Sequence, residues 1–267
     1  MILTASHPHP TDHVEPRRVQ AARLALIGGT GGGALLTMLW MAWAGRQLGP
    51  AAASDFYGAV FLIFAIYMLG HPINGLAARF GALWQAQQES ARIWPLYVRL
   101  MRTLLWPGAL LILVALPTLA WQAELLHFRE PWALGFALVA GLLALAISAG
   151  RGVLRGIGHL TPFAGSVLTE ALVRLMVGVA ILSVIPSATS AMSAYVIAGV
   201  ITLGLGEVLV RRALGRPRPL ARSTSPELSE PPPSPLDSRA LLAFAGPMLL
   251  MAFCDAAFQN LDVLVAK

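Results

Sequence analysis

Glu170 and Arg174 stand four residues apart in an otherwise uncharged apolar run, within T-E-A-L-V-R-L-M-V-G. On an α-helix that spacing places the two side chains on one face, one turn apart. Charges buried in such a run hold or attract other charges where water is scarce. If 163–185 spans a bilayer, its length rises about 34 Å, which puts Arg174 near the midplane and Glu170 one turn toward the preceding loop. Placing one such charge at the centre of a span costs about 2.5 to 3.5 kcal/mol on translocon scales, so both side chains are expected to face a bundle interior or a watery cavity. Two readings stay open. The pair neutralises itself and staples helices together, or Arg174 attracts an anionic group while Glu170 holds its guanidinium in place.

Two further sets of polar residues interrupt apolar runs. His71 and Asn74 flank Pro72 toward one end of the run at 58–78. Proline removes a backbone hydrogen bond and kinks a helix, which either aims both side chains inward or leaves them bonded to a neighbouring helix. Asp255, Gln259 and Asp262 recur at i, i+4 and i+7 near the end of the sequence. They form one helical face, suited to lining a cavity, carrying a proton or bonding across helices.

Bond-making chemistry has no comparable signature. No D-x-D or C-x-x-C occurs, and the one H-x-x-x-H spacing, His9 to His13, lies in the polar tail rather than in or beside an apolar run, where a glycolipid-processing membrane enzyme would need it. The single cysteine, Cys254, excludes an intramolecular disulfide and any thiolate metal cluster. His7, His9 and His13 lie in a polar, Pro-bearing tail, which is read as a mobile segment, with a weak metal-binding tail as the lesser alternative. The G-G-T-G-G-G at 28–33 matches neither G-x-G-x-x-G nor a phosphate loop ending in Lys-Ser or Lys-Thr. It does contain Gly28/Gly32 and Gly29/Gly33, the G-x-x-x-G spacing that lets membrane helices approach closely. No enzyme, cofactor or metal site is therefore expected.

These residues must be carried by membrane helices. The sequence is 57% hydrophobic and 12% charged, with mean hydropathy +0.68, and its apolar residues come in spanning runs rather than amphipathic stripes. The expected fold is an all-α, polytopic transmembrane bundle of about seven spans. A polar tail occupies 1–22. A six-helix lobe fills 23–212, with spans near 24–44, 58–78, 103–121, 132–149, 163–185 and 192–210. A Pro-rich linker covers 213–238, and a seventh span, 239–267, opens a second lobe. The stretch 81–102, rich in Gln, Arg and Trp, reads as a surface-lying connection, and Pro107 and Pro117 fall near the two ends of the third span. The first apolar run exceeds a signal-peptide core and is read as an uncleaved span.

The net charge of +6 would suggest nucleic acid in a soluble protein, but here the basic residues sit between apolar runs, where they set topology. With the N-terminus cytoplasmic, fifteen of the Lys and Arg fall on the inner side, only Arg46 and Arg129 on the outer side, Arg174 within a span and Lys267 at the end. That asymmetry predicts a multi-pass membrane protein with tail and linker both cytoplasmic.

Four segments in this order resemble the multidrug/oligosaccharidyl-lipid/polysaccharide exporter superfamily, in particular bacterial O-antigen type polysaccharide flippases. They are R-Q-L-G-P-A-A-A-S-D-F-Y-G after the first span, R-G-V-L-R-G-I-G-H-L before the fifth, T-E-A-L-V-R-L-M-V-G within it, and N-L-D-V-L-V-A-K at the end. The resemblance implies two six-helix bundles around an alternately open cavity. It also implies a lipid-linked oligosaccharide of the undecaprenyl-diphosphate type as cargo, with membrane lipids as surroundings. The first span carries no acidic residue, unlike cation-coupled drug exporters that use a carboxylate there, and the first two spans lack the interior Arg of the lipid II flippase branch. A multidrug or cation antiporter of the same superfamily and a non-transporting scaffold of glycan assembly are the alternatives. Because one span follows the linker, a missing second lobe or another chain is expected to complete the cavity.

Overall fold

The computed structural model describes residues 15–215, with side chains from Gln20 onward. The seventh span, almost all of the linker, and most of the polar tail lie outside the described residues. Asp255, Gln259 and Asp262 therefore have no described position.

Every regular element among the described residues is helical: α1 (Glu15–Gln47), α2 (Gly49–Met68), α3 (Gly70–Ala86), α4 (Ile93–Ala115), α5 (Leu119–Leu125), α6 (Pro131–Gly156), α7 (Leu160–Leu182) and α8 (Ala188–Leu214), with short 3-10 turns at Ser90–Arg92 and Leu116–Thr118. With α2 and α3 counted as one span and α4 and α5 as another, six are long and apolar enough to cross a membrane. Lipid offers the backbone no hydrogen-bond partner, which is why apolar runs of this length fold as helices. Polar side chains inside them turn back on their own backbone, as Thr30 and Thr37 of α1 do by donating to the Leu26 and Gly33 carbonyls.

The helices extend beyond the expected spans. Pro72 cannot donate to the Met68 carbonyl, and the chain breaks at Leu69, between α2 and α3. The stretch 81–102 is not a surface connection. Phe80, Gly81 and Trp84 are buried in the last turns of α3, Ile93, Leu96 and Tyr97 in the first turns of α4, and only a tight turn joins the two. In consequence α4 begins ten residues earlier than the expected third span, and Pro107 lies inside it. Pro117 does mark a break, at the 3-10 turn before α5. The segment R-G-V-L-R-G, expected as loop, is the last part of α6. That helix ends at Gly156 and is closed by Gly158, which adopts φ +73°, while His159 N–H closes a 2.8 Å bond to the Leu154 carbonyl.

Successive spans alternate in direction around α6, which packs on α2, α3, α4 and α8. Parallel α1 and α7 form the opposite wall. A Cβ on Gly29 would lie 2.6 Å from the Ala164 side chain, and one on Gly33 2.9 Å from Val167, so the predicted small-residue spacing serves this contact, whereas Gly28 faces open space. Two apolar clusters close the ends of the bundle. One gathers Trp40, Phe56, Met192 and Tyr195, the other Trp84, Ile93, Leu154 and Val210. The outside is equally apolar, with Trp106 76% exposed and Leu110, Leu111, Leu113 and Val114 beside it on α4, as expected for a surface solvated by lipid.

Candidate functional site

Between the two apolar clusters lies a cavity of about 260 Å³, bordered by α1, α2, α6, α7 and α8. Its walls are mostly small or apolar, with Phe64, Tyr67 and Tyr195 adding aromatic surface. Its charge comes from Arg151 on α6 and from Glu170 and Arg174 on α7. The three side chains are 9%, 17% and 12% exposed.

The spacing of α7 brings Glu170 and Arg174 together as an i, i+4 pair, joined through Arg174 Nη2 and Glu170 Oε1. The second carboxylate oxygen accepts from Arg151 Nη2 at 2.8 Å. Arg151 is itself held in place. Its Nε donates to Ser166 Oγ at 3.1 Å, and the same Nη2 donates to the Ser166 carbonyl at 3.0 Å. Arg174 lies 4.3 Å above the centroid of the Tyr195 ring, which offers its negative face to the cation. Among the described residues, buried Arg174 Nε has no hydrogen-bond partner. Among the described residues two guanidiniums thus share one carboxylate, which leaves one positive charge without a counter-charge and one N–H donor unused.

The midpoint of α7 falls at Ala171, so Glu170 lies nearer the middle of its helix than Arg174, the reverse of the expected order, because α7 begins and ends three residues before the expected span. His71 and Asn74 do not line this cavity. Asn74 Nδ2 donates to the Ser148 carbonyl at 3.2 Å and ties α3 to α6. Exposed His71 packs edge-on against Tyr67, at 5.3 Å between ring centroids. Of the two readings for these residues, the described contacts match helix-to-helix bonding for Asn74.

Arg151 is absent from the candidates that the sequence offers, because 150–162 falls between two apolar runs and reads as a connection. The available signal was the helix stop at Gly158, which extends α6 and turns Arg151 inward from Ile147, its neighbour one turn earlier on the cavity wall. Among the described residues no group of three His, Cys, Asp or Glu is placed to hold a metal ion.

At the other end of the bundle a separate polar network fixes the loops. Buried Asp55 accepts from the Arg129 and Glu130 amides at 2.9 and 3.0 Å. Glu130 in turn accepts from the Ala188 and Thr189 amides at 3.1 and 2.7 Å, capping the N-terminus of α8. Burial pushes the Glu130 carboxyl up, but the Thr189 and Ala188 hydrogen bonds outweigh it and hold the group below the usual carboxylate range.

No protein-family model and no curated protein matches the sequence. Among solved structures, the chain is similar to an outward-facing multidrug resistance MATE family transporter of the MOP superfamily, at 17% identity and TM-score 0.62, covering 92% of this chain and 56% of that one. It is also similar to a MOP superfamily transporter from Pyrococcus furiosus, for which reverse polarity of the binding pocket suggests a different function, at 16% identity and TM-score 0.60, covering 87% and 52%. A third is a MATE protein in complex with Br-NRF, at 15% identity and TM-score 0.63, covering 88% and 54%. The chain thus spans about half the length of these structures, and over that half it has the fold seen in MOP superfamily transporters.

Proposed function

We propose that this chain is a lobe of a membrane transporter that moves a lipid-linked oligosaccharide across the bacterial inner membrane, with its diphosphate passing the Arg151–Glu170–Arg174 cavity. The observation that carries this reading is the charge count at the cavity wall, two guanidiniums to one carboxylate. An uncompensated buried cation is expensive in a membrane interior unless an anion visits it. A diphosphate offers that charge together with oxygens for the free Arg174 Nε–H. A second lobe, in the same or another chain, supplies the facing wall. The N-terminus lies in the cytoplasm, a reading supported by Arg79, Arg92, Arg155, Arg211 and Arg212 falling at one end of the bundle.

The test is genetic and chemical. In cells lacking the gene, lipid-linked sugar accumulates on the cytoplasmic side. The wild-type gene clears it, and Arg174→Ala leaves it accumulated at unchanged protein level. Full clearance by Arg174→Ala contradicts the proposal.

A multidrug transporter is the second reading, favoured by the aromatic wall of Phe64, Tyr67 and Tyr195, which suits a lipophilic cation. The charge argues the other way, because the cavity carboxylate is already shared by two arginines.

A further inference from the structure

Beyond the central cavity, α4 and α8 leave a groove of about 310 Å³ on the lipid-facing side of the bundle, at the end where the arginines gather. Trp94 and Met101 lie on one face of α4, seven residues apart, and Leu203, Glu207 and Arg211 follow at i, i+4 and i+8 on α8. The groove is closed on its inner side by Tyr97 and Leu203, which also border a small void ending at Arg151. None of its lining residues borders the central cavity, so it is a separate site.

Its lining is divided. Trp94 and Met101 make an apolar trough, while Arg102 and Arg211 bring two guanidiniums against the single carboxylate of Glu207. Arg211 is held by Glu207 at 2.5 Å and lies 5.1 Å over the Trp94 ring. Because α4 and α8 run in opposite directions and side chains lean toward the N-terminus of their own helix, Arg102 and Arg211 incline toward each other along the groove. A tryptophan and cations at the end of an apolar trough match the boundary between headgroup and acyl chain.

We propose that this groove binds an anionic glycerophospholipid, its phosphate between Arg102 and Arg211 and an acyl chain along Trp94, Met101 and Leu203. A soluble anion would leave the apolar trough unused. A peptide helix or a second copy of the chain would bury Arg102 and Arg211 without supplying the phosphate that the excess charge calls for.

The test uses the full chain, purified and exchanged into mixed micelles holding equal amounts of phosphatidylglycerol and phosphatidylcholine, with retained lipid read by native mass spectrometry. One net charge near the membrane surface gives a preference for phosphatidylglycerol of about fivefold. Arg102→Gln with Arg211→Gln should bring the ratio to about one, and Glu207→Gln should raise it. Leu203→Trp, which fills the trough without touching charge, should reduce retention of both lipids. The Glu207 and Leu203 variants keep the question decidable if the double variant does not fold. A wild-type ratio of one, a ratio indifferent to Glu207→Gln, displacement of the lipid by millimolar inorganic phosphate, or a lipid-free dimer would each overturn the proposal.

Discussion

Arg151 on α6 and Glu170 on α7 are joined by a 2.8 Å ion pair across the cavity wall, although one lies near the C-terminal end of its helix and the other at the centre of the next helix. Glu170 is the shared partner in this cluster, since it holds Arg151 with one oxygen and Arg174 with the other. Removing it leaves two buried guanidiniums facing each other, whereas removing Arg174 leaves one neutral pair. Glu170→Gln is therefore expected to destabilise the protein by about 3 kcal/mol or more, and Arg174→Gln by clearly less. Thermal unfolding in detergent reads the difference, and equal melting temperatures for the two variants would contradict it.

The contact between α1 and α7 depends on which glycines face it. A methyl on Gly29 would press into the Ala164 backbone and side chain, while one on Gly28 meets nothing within 4 Å. Gly29→Ala should cost about 1 to 3 kcal/mol through overpacking. Gly28→Ala should be neutral or raise stability by up to about 1 kcal/mol through helix propensity. The same melting measurement distinguishes them, and the reverse order would show that α1 meets α7 through another face.

Glu130 caps α8, and its carboxyl is held below its ordinary value of 4.5 in the folded protein. A group whose folded pKa is depressed contributes stability above its unfolded pKa and loses that contribution as pH falls through the folded value. Unfolding measured from pH 7 downward should show the wild type converging on Glu130→Gln below pH 4.5, with the wild type more stable by about 1 kcal/mol at neutral pH. A difference that persists unchanged at acid pH would rule out the charged cap.

The helical bundle was legible in the sequence because spanning runs of apolar residues have few alternatives in a membrane. The inward position of Glu170 and Arg174 was legible for a related reason, since lipid excludes them. Helix ends were harder to read. The polar letters of R-G-V-L-R-G look like loop, yet Gly152 and Gly156 are there because α3 packs too close for a side chain, as the Asn74 and Ala78 backbones at those positions demonstrate. That misreading hid Arg151. The contacts of Asn74 were equally invisible, because a polar residue beside a proline has the same letters whether it faces a cavity or the next helix.

The orientation of the bundle has its own test. In a Cys254→Ser background, a cysteine replacing Arg92 should be protected from a membrane-impermeant thiol reagent added outside intact cells, and one replacing Glu124 should react. These positions lie at opposite ends of the α4–α5 span, and the opposite labelling pattern would place the N-terminus outside.

On the proposed function, the cavity takes an anionic lipid-linked sugar. The most direct measurement of this is equilibrium binding of a polyprenyl-diphosphate oligosaccharide to the purified chain, with a lipophilic cation as competitor. Binding should be measurable, should weaken about tenfold in Arg174→Gln, the effect of losing one charge-assisted contact to the phosphate, and should not be displaced by the cation. Binding of the cation in place of the glycolipid, strengthened by Arg174→Gln, would contradict the proposal.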